Sequence, residues 1–337
     1  MATLRQISEL ASVSVTTASR VLNGSAGNHP VSADIVTRVR AAATTLGYTP
    51  SAPARTLKTQ RSNIIGVIAS DILDTYFAEI ARGVETEAAR LGYVTVIANA
   101  NRDPFQENRK FHVLREHQAS GIVFCGSEVA GAPGTGELAH DVNQAVGSGT
   151  CVVSLAPRTF DSTQIVVDNA ATARELTAYI LSLGHRRIAY VGGIPRLTAS
   201  EQRVRGYRDA ITKADAEARV EGLSGMSQAA GKKAMRTIIE SGQIPDAVIC
   251  TNDEVAIGVL AQLWASDLRV PDDISVAGIG GTRGGAIFDL TTMTLPLAQL
   301  GATAARHIAN HRETVEVPEV PAYELVVGGT TAPARHR

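Results

Sequence analysis

A short run of hydroxyl, apolar and basic side chains near the N-terminus has the composition of a DNA-reading helix. Val15, Thr16 and Thr17 begin the run, and Ser19 and Arg20 follow one helical turn later. Arginine can donate two parallel hydrogen bonds to guanine, threonine hydroxyls can bond base edges or phosphates, and methyl groups can contact thymine. The spacing therefore predicts the leading end of a helix that enters a DNA major groove.

Three short amphipathic segments would position these side chains. Two of them are joined by Ala-Ser-Val-Ser and a third lies behind, which is the pattern of a helix-turn-helix. An ordinary small helical bundle is the alternative that this spacing alone leaves open. The predicted helices and their N-terminal caps are 4–11 (Thr3 with Gln6 as a capping box), 15–22 (Ser14) and 33–46 (Ser32).

The segment 48–61 separates this head from the remainder of the chain. It contains Pro50 and Pro53 together with three basic residues, Arg55, Lys58 and Arg61. We expect a linker that carries at most two helical turns, over 52–58. A helix of that length is marginal by itself in water.

From Asn63 onward, short apolar segments alternate with longer amphipathic ones. This alternation predicts parallel sheets that helices cover on both faces. Roughly 275 residues are long for one sheet, so we expect two similar doubly wound α/β subdomains with a ligand cleft between them. The main predicted strands are 64–70, 93–99, 121–126, 151–155, 187–193, 246–251 and 274–280.

The charge is unevenly distributed along the chain. The net charge is −1, but residues 1–60 hold six basic and two acidic side chains. A basic head on a mildly acidic body indicates a polyanionic partner, although a chance bias in surface charge would give the same count. Neither an 18-residue apolar run nor an apolar N-terminal signal core is present, so we expect a cytoplasmic protein without a membrane span.

The remaining chemistry-bearing residues do not predict an enzyme. The sequence has no Gly-rich phosphate loop, no Gly-x-Ser-x-Gly elbow, no paired metal ligands and no nucleophile with an obvious base. His185 lies at a predicted helix-to-strand turn and is expected to be structural. Three cysteines in apolar runs are expected to be small buried hydrophobes, and their spacing fits no metal site. We expect neither a cofactor nor a metal.

Several motifs, in order along the chain, resemble the lactose/galactose-repressor family of bacterial transcription regulators. The resemblance implies a helix-turn-helix head over 1–47, a hinge over 48–61 and a two-lobed body like that of periplasmic binding proteins over 62–337. The opening TLRQISELASVSVTTASRVLNG and the segment GYTPSAPARTL carry it first. It continues through IIGVIAS, YFAEIARGVE, VVDN, LGHRRIAYVGG, RVRGYRDA, ICTNDEVAIGVL, VPDDISVAGIG, LTTM and ELVVGGTTAP.

The resemblance implies roles for residues in the head and hinge. Leu57 matches the leucine that the family inserts into the minor groove, where an apolar wedge unstacks a base step and bends the DNA. Two hinge helices must lie side by side for this, which implies a homodimer on a pseudopalindromic operator. The implied contacts are Val15, Thr16 and Arg20 to bases, Thr3, Thr17, Ser19 and Asn23 to phosphates, and Ser51, Ala54 and Leu57 in the hinge.

The resemblance also implies a small-molecule effector in the body. Arg203 matches the family's effector-binding arginine, although a surface salt bridge is an alternative for it. Asn252 matches a ligand-bonding asparagine, and Asp253 beside it could cap the following helix. Tyr76, Phe77 and Leu297 are also plausible core residues. The implied effector residues are Ser70, Asp71, Tyr76, Phe77, Arg203, Asn252 and Leu297.

Two family features are missing from the body. Gly-Ile-Gly-Gly at 278–281 stands where the family has Gly-Phe-Asp-Asp, and Ala156-Pro157 stands where it has Asp-Arg. Polar contacts to a simple hexose would be weakened. We therefore expect a disaccharide, a phosphorylated sugar or a non-sugar metabolite, and Arg203, Arg283 and Arg196 could bind a phosphate.

These observations predict a sequence-specific repressor whose affinity for its operator is controlled allosterically by an effector. The tail after residue 330 has no apolar heptads, so we expect a dimer and no tetramerising helix. A regulator that no longer responds to a ligand is one alternative. A solute-binding protein is another, but it would need a signal sequence and would lack the basic head.

Overall fold

The computed structural model divides the chain into two compact units, residues 1–62 and 63–337. The division falls next to the predicted boundary between hinge and body. The residues that the structure describes are 2–22, 31–48, 62–223, 225–311 and 318–334.

The first unit contains three helices around a small apolar core. They are α1 (Leu4–Leu10), α2 (Val15–Leu22) and α3 (Ala33–Thr45). Side chains from all three helices fill the core, namely Ile7, Ala11, Ala18, Val21, Val39, Ala42 and Ala43.

The predicted caps of these helices differ in outcome. Thr3 and Gln6 form the capping box, since the Gln6 amide donates to Thr3 Oγ1 at 3.3 Å and the Thr3 amide donates to Gln6 Oε1 at 2.9 Å. Ser14 caps α2 by accepting from the Thr17 amide at 3.1 Å. Ser32 stands at the N-cap of α3, but its side chain makes no capping hydrogen bond, so this part of the prediction is wrong.

The first lobe of the second unit has a five-stranded parallel sheet in the order β2-β1-β3-β4-β5. A helix follows each of the first three strands and returns the chain to the start of the next parallel strand, whereas residues 155–162 join β4 to β5 without a helix. The strands are β1 (Ile64–Ala69), β2 (Val94–Asn99), β3 (Gly121–Phe124), β4 (Cys151–Ser154) and β5 (Thr163–Gln164), and the helices are α4 (Thr75–Arg90), α5 (Pro104–Glu116) and α6 (Thr135–Gly147).

The second lobe has a six-stranded sheet in the order β11-β10-β9-β8-β6-β7. Its pairs are parallel except for β10 with β11. The strands are β6 (Arg187–Val191), β7 (Glu217–Glu221), β8 (Ala247–Cys250), β9 (Ser275–Gly280), β10 (Thr291–Thr294) and β11 (Glu324–Val326), and the helices are α7 (Asn169–Ser182), α8 (Thr198–Lys213), α9 (Gln228–Glu240), α10 (Asp253–Trp264) and α11 (Arg283–Ile287). The predicted pair of doubly wound α/β subdomains is confirmed.

The chain passes between the lobes three times. It leaves the first lobe after β5, returns between β10 and helix α12 (Leu297–Asn310), and leaves again between α12 and β11. In the first lobe α12 packs along α4, and two glycines allow the helix backbones to touch. A Cβ at Gly83 would overlap the carbonyl of Ala298, and a Cβ at Gly301 would overlap that of Ile80.

The apolar interior of each lobe also contains the cysteines. Cys125, Cys151 and Cys250 are all buried and none forms a disulfide, as the sequence predicts. Over the described ranges, no helix combines the length and the apolar character needed to cross a membrane.

Candidate functional site

The outward face of α2 presents the residues that the sequence assigns to base contact. Val15, Thr16 and Arg20 are exposed, while Ala18 and Val21 on the opposite side of the helix are buried in the core of the head. The helix is therefore fixed by one face and offers the other to a partner. Two apolar or methyl-bearing groups and one guanidinium on that face match the chemistry of base edges in a major groove.

The start of α2 is built from hydroxyl groups. Ser14 Oγ lies 2.8 Å from Thr17 Oγ1 and also accepts from the Thr17 amide. Ser19 is half-buried, and Thr3 is exposed at the start of α1. Main-chain amides and hydroxyls at a helix N-terminus favour an anionic group, so this end of α2 is suited to a phosphate.

Arg38 of α3 stabilises the turn between α1 and α2, a role that the sequence analysis did not predict. Its Nη2 donates to the carbonyl of Ala11 at 2.8 Å and to that of Ser12 at 3.3 Å. Ser12 has a φ of 49°, so a non-glycine residue holds the left-handed region there. In the sequence, Arg38 stands four residues after Asp34. That spacing predicts an (i, i+4) ion pair, which Arg38 also makes, and it gives no sign of the contacts with the turn.

Four of the implied DNA contacts cannot be placed. Asn23, Ser51, Ala54 and Leu57 lie outside the described residues. Their roles remain predictions from the resemblance.

A cavity of about 50 Å³ lies between the two lobes of the body. Four of the seven predicted effector residues line it, namely Tyr76, Phe77, Arg203 and Asn252. Residues that the sequence did not single out line it too, including Asp74, Arg102, Ser127, Asn169, Leu197 and Met226. The lining thus combines charged and polar side chains with two aromatic rings.

Arg203 lies buried at this cavity, with 4 % of its surface exposed. Its Nε donates to Asn169 Oδ1 at 3.0 Å, and its Nη1 donates to the Thr251 carbonyl at 2.6 Å. Both acceptors are neutral, and among the described residues no carboxylate pairs with this guanidinium. The alternative of a surface salt bridge is excluded, and the buried positive charge is left for another anion to neutralise.

Asp74 and Arg102 form a second polar group in the cavity. Asp74 caps α4 by accepting from the Tyr76 amide at 3.0 Å, and Arg102 Nη2 lies 3.4 Å from Asp74 Oδ2. Burial raises the pKa of Asp74 to about 6, although the Tyr76 amide and Arg102 oppose that rise. The signal for Asp74 was a capping residue type in the loop after the predicted strand 64–70.

Three of the predicted effector residues do not line the cavity. Ser70 is buried directly behind Gly126, Asp71 accepts from the amide of Leu73 in its own turn, and Leu297 belongs to the apolar core at the start of α12. These three residues lie outside the lining of this cavity, and their effector contacts stay predictions. Position after a strand selects the correct loop, but whether a side chain points into the cleft depends on the turn that follows.

Asn252 lines the cavity and also caps the helix after β8, a role that the sequence suggested for Asp253. Asn252 caps α10 by accepting from the Val255 amide at 2.9 Å, and its Nδ2 donates to the Met226 carbonyl at 3.0 Å. Asp253 does not cap the helix. It is buried and accepts from the Thr282 amide at 2.7 Å and from the Thr292 hydroxyl at 2.7 Å.

The buried Asp253 gives a physical reason for the glycines at 278–281. A Cβ at Gly278 or at Gly280 would crowd the Asp253 carboxylate, so small residues leave space for it. Burial raises the pKa of Asp253, and the hydrogen bonds from Thr282 and Thr292 oppose that rise. In this part of the lobe Asp253 supplies the carboxylate, which accepts hydrogen bonds from Thr282 and Thr292 in the interior.

Two other arginines that the sequence suggests for a phosphate, Arg283 and Arg196, lie outside the lining of this cavity. Arg283 Nε lies 3.0 Å from Glu79 Oε1 at the surface. Neither arginine lines the cavity, which has Arg203 and Arg102 as its guanidinium groups.

Direct hydrogen bonds join the lobes on both sides of the cavity. On one side, Thr75 Oγ1 donates to Glu254 Oε1 at 2.8 Å. On the other, the Thr198 amide donates to the Glu128 carbonyl at 3.0 Å, and the Ala130 amide donates to the Arg196 carbonyl at 2.8 Å. These three hydrogen bonds therefore hold the two lobes against each other.

Two family models match this chain, and together they cover its head and much of its body. One is described as bacterial regulatory proteins, lacI family, and matches residues 3–51. The other is described as a periplasmic binding protein-like domain and matches residues 177–331.

Curated relatives match almost end to end. The HTH-type transcriptional repressor PurR of Pectobacterium carotovorum subsp. carotovorum is 31 % identical over 329 residues, which cover 95 % of this chain and 94 % of that protein. Catabolite control protein A of Staphylococcus aureus is 29 % identical over 329 residues, with 94 % and 95 % covered. These relatives are named as regulators and not as enzymes.

Among solved structures, the lac repressor dimer bound to operator and the anti-inducer ONPF has a TM-score of 0.84 to this chain at 24 % identity, with 98 % of this chain and 99 % of that one covered. This likeness supports the fold. Three observations lead to the same family. They are the exposed face of α2, the two-lobed body with its cavity, and the 31 % identity to a repressor along almost the whole chain. The chain belongs to the lacI family of bacterial regulatory proteins and is a DNA-binding transcription regulator.

Proposed function

We propose that this regulator is a repressor that binds a pseudopalindromic operator as a homodimer, and that a small effector with an anionic group, held between the lobes, controls this binding. The observation that carries the effector proposal is the buried guanidinium of Arg203, which meets only neutral acceptors in the described chain. A DNA-binding regulator acts at the chromosome, so we infer that the protein works in the cytoplasm at the nucleoid.

The DNA contacts that we propose follow from exposure and chemistry on α2. Arg20 donates to a guanine edge, Val15 and Thr16 contact thymine methyl groups or base edges, and Thr17 lies at a phosphate. Leu57 provides the minor-groove wedge, on the evidence of the sequence alone. The solved lac repressor complex is a dimer on its operator, which is consistent with a dimeric arrangement here.

The effector class follows from the charges around the cavity. Arg203 carries a charge that no carboxylate neutralises within the described residues, whereas Arg102 has a partial partner in Asp74. An anionic group beside Arg203 would gain charge-assisted hydrogen bonds in a site shielded from water. We therefore propose a phosphorylated or acidic sugar derivative in preference to a neutral hexose.

Control of DNA binding would follow from closure of the lobes. A cavity of about 50 Å³ is far smaller than a sugar derivative requires, so the ligand must separate or reshape the lobes as it enters. The hydrogen bond between Thr75 and Glu254 is one contact that must change. An effector that prefers a different degree of closure shifts the population of conformations and thereby weakens operator binding.

The DNA part of the proposal is tested by selecting a duplex from a pool of random pseudopalindromes and measuring its affinity by fluorescence anisotropy over a salt series. We expect tight binding with a steep salt dependence, and loss of affinity in Arg20→Ala and in Leu57→Ala. Selection of no common sequence, or equal affinity of all three proteins for every duplex, would refute the proposed contacts.

The effector part is tested by thermal shift with pairs of sugars and their phosphorylated or acidic forms. We expect the anionic member of one pair to raise the melting temperature, and Arg203→Gln to abolish that rise. Arg205→Gln, on the exposed side of the same helix, is the matched control. A rise with neutral sugars alone would contradict the proposed class. No rise with any compound would favour a regulator that has lost its ligand response.

A further inference from the structure

We propose that Cys151, His307 and His311 form a binding site for a thiophilic divalent metal ion such as Zn²⁺, in the first lobe and apart from the ligand cavity. One potential ligand atom from each side chain lies within 4.8 Å of the other two. The site is independent of the proposed effector function.

The fold brings the three side chains together from distant parts of the sequence. His307 and His311 are four residues apart at the end of α12, so their rings share one face, with centroids 5.7 Å apart. Cys151 is the first residue of β4, against which α12 packs. Sequence spacing could not reveal the site because the thiol and the imidazoles lie on different elements.

The donor set matches the preferences of a soft or borderline cation. One thiolate and two imidazoles are ligands that Zn²⁺ binds in tetrahedral sites, where a fourth position can hold water. Ligand atoms in such a site lie about 3.5 Å apart, given metal–ligand distances of about 2.0–2.3 Å. The three side chains must therefore approach one another by about 1 Å, which small rotations about their χ angles can supply.

Two polar features of the cluster point to a ligand. His311 Nδ1 is buried, and within the described part of the chain it has no hydrogen-bond partner. An unsatisfied buried nitrogen is unfavourable, and a bound cation would satisfy it. The Thr163 hydroxyl lies 3.0 Å from His307 Nε2, and such an outer hydrogen bond commonly fixes the orientation of a ligating imidazole.

The proposed metal site lies at the opposite edge of the sheet from the cavity. Cys151 pairs in register with Gly121, and Gly121 with Ile65, at the amino-terminal ends of three parallel strands. Cavity residues such as Gly126 and Leu155 follow the carboxyl-terminal ends of those strands. A metal ion would therefore link the end of α12 to the sheet edge at which the chain enters the body.

The test uses full-length, tag-free protein freed of metal by chelation. Titration with Co²⁺ should give one equivalent with a thiolate charge-transfer band in the near ultraviolet, and Zn²⁺ should displace it and raise the melting temperature. Cys151→Ser should remove the band, and His311→Gln should weaken Zn²⁺ binding by at least about tenfold. Cys250→Ser, at a buried thiol of the second lobe, and His117→Gln, at an exposed imidazole, are matched controls.

The absence of a charge-transfer band in the parent protein would overturn the proposal. So would a band that survives Cys151→Ser, or Zn²⁺ binding that His117→Gln weakens as much as His311→Gln does. If Cys151→Ser does not fold, His311→Gln decides the question, because this residue lies at the end of its helix and the expected result is loss of the Zn²⁺-induced rise in melting temperature.

Discussion

Arg158 binds Glu107 through two hydrogen bonds, Nη1 to Oε2 at 2.8 Å and Nη2 to Oε1 at 2.6 Å, in the interior of the first lobe. The guanidinium also donates from Nε to the carbonyl of Gly126 at 2.6 Å, and it lies within 5.5 Å of the ring centroids of Phe124 and Phe160. Gly126 lines the ligand cavity. This buried ion pair therefore holds the loop that forms one wall of the cavity.

Glu107→Gln should destabilise the body strongly. The substitution leaves the Arg158 charge buried without a carboxylate, and loss of one partner of such a pair costs about 3–5 kcal/mol. The midpoint of urea denaturation measures the effect. Asp272→Asn makes the corresponding acid-to-amide change at the exposed pair with Arg269 and should leave the midpoint nearly unchanged. Equal midpoints for the two variants would show that the buried pair does not stabilise the lobe.

Arg20→Ala should reduce discrimination between operator sequences, because we place its guanidinium at a guanine. The loss of one such contact is worth about 1–3 kcal/mol, or roughly tenfold to a hundredfold in the affinity ratio for correct and altered duplexes. Arg40→Ala removes the same charge from an exposed position on α3 and should weaken both duplexes alike. Anisotropy titrations with the two duplexes separate these outcomes, and an unchanged ratio in Arg20→Ala would place the base contacts elsewhere.

Thr75→Val should open the cleft. The valine keeps the shape of the side chain but cannot donate to Glu254, so one hydrogen bond between the lobes is lost, worth about 1 kcal/mol. Small-angle scattering should give a larger radius of gyration for the variant, and the affinity for an effector that needs separated lobes should rise roughly fivefold. Thr237→Val, on the exposed surface of α9, is the control. Identical scattering from Thr75→Val and the parent protein would contradict the role of this bridge.

Asp74→Asn should change how stability depends on pH. The pKa of Asp74 is raised to about 6 in the folded protein, so the fold binds a proton more tightly than the unfolded chain does. The parent protein therefore gains stability as the pH falls through 6 toward 4, whereas asparagine keeps the helix cap and does not titrate.

Between pH 8 and pH 5 the parent should gain on the order of 1 kcal/mol relative to Asp74→Asn. Melting temperatures over this range measure the difference. Asp168→Asn is the matched control, because it makes the same substitution at the exposed cap of α7. The contrary outcomes are a stability difference between the parent and Asp74→Asn that stays constant with pH, and one that changes with the opposite sign. Either result would show that burial does not raise the pKa of Asp74.

Local patterns in the sequence predicted the elements well because they depend on neighbours in the chain. The capping box of Thr3 and Gln6, the outward face of α2 and the alternation of strands and helices all have this origin. Arg203 was found by its motif, and the structure adds that its two acceptors are neutral.

The features that the sequence did not reveal are contacts between distant residues. The pairing of Arg158 with Glu107 depends on how α5 packs against the loop after β4, and neither residue has a partner within its own element. Asn252 and Asp253 both follow a strand, and only the position of Thr282 and Thr292 decides which of them turns inward. Leu297 was assigned to the pocket by position, whereas the packing of α12 on α4 buries it in the core.

The three passages of the chain between the lobes restrict how the body can move. Two rigid bodies joined by several connecting segments keep little freedom to slide or twist, and the motion that remains is rotation about an axis through the connections. Such a rotation works as a lever: when the edges that hold the cavity approach, the opposite edges of the two sheets separate. The chain enters the body at that opposite edge, before β1. The size of a ligand's effect there would depend on the angle of rotation and on the distance from the rotation axis, and it would not require a series of contacts between the two ends.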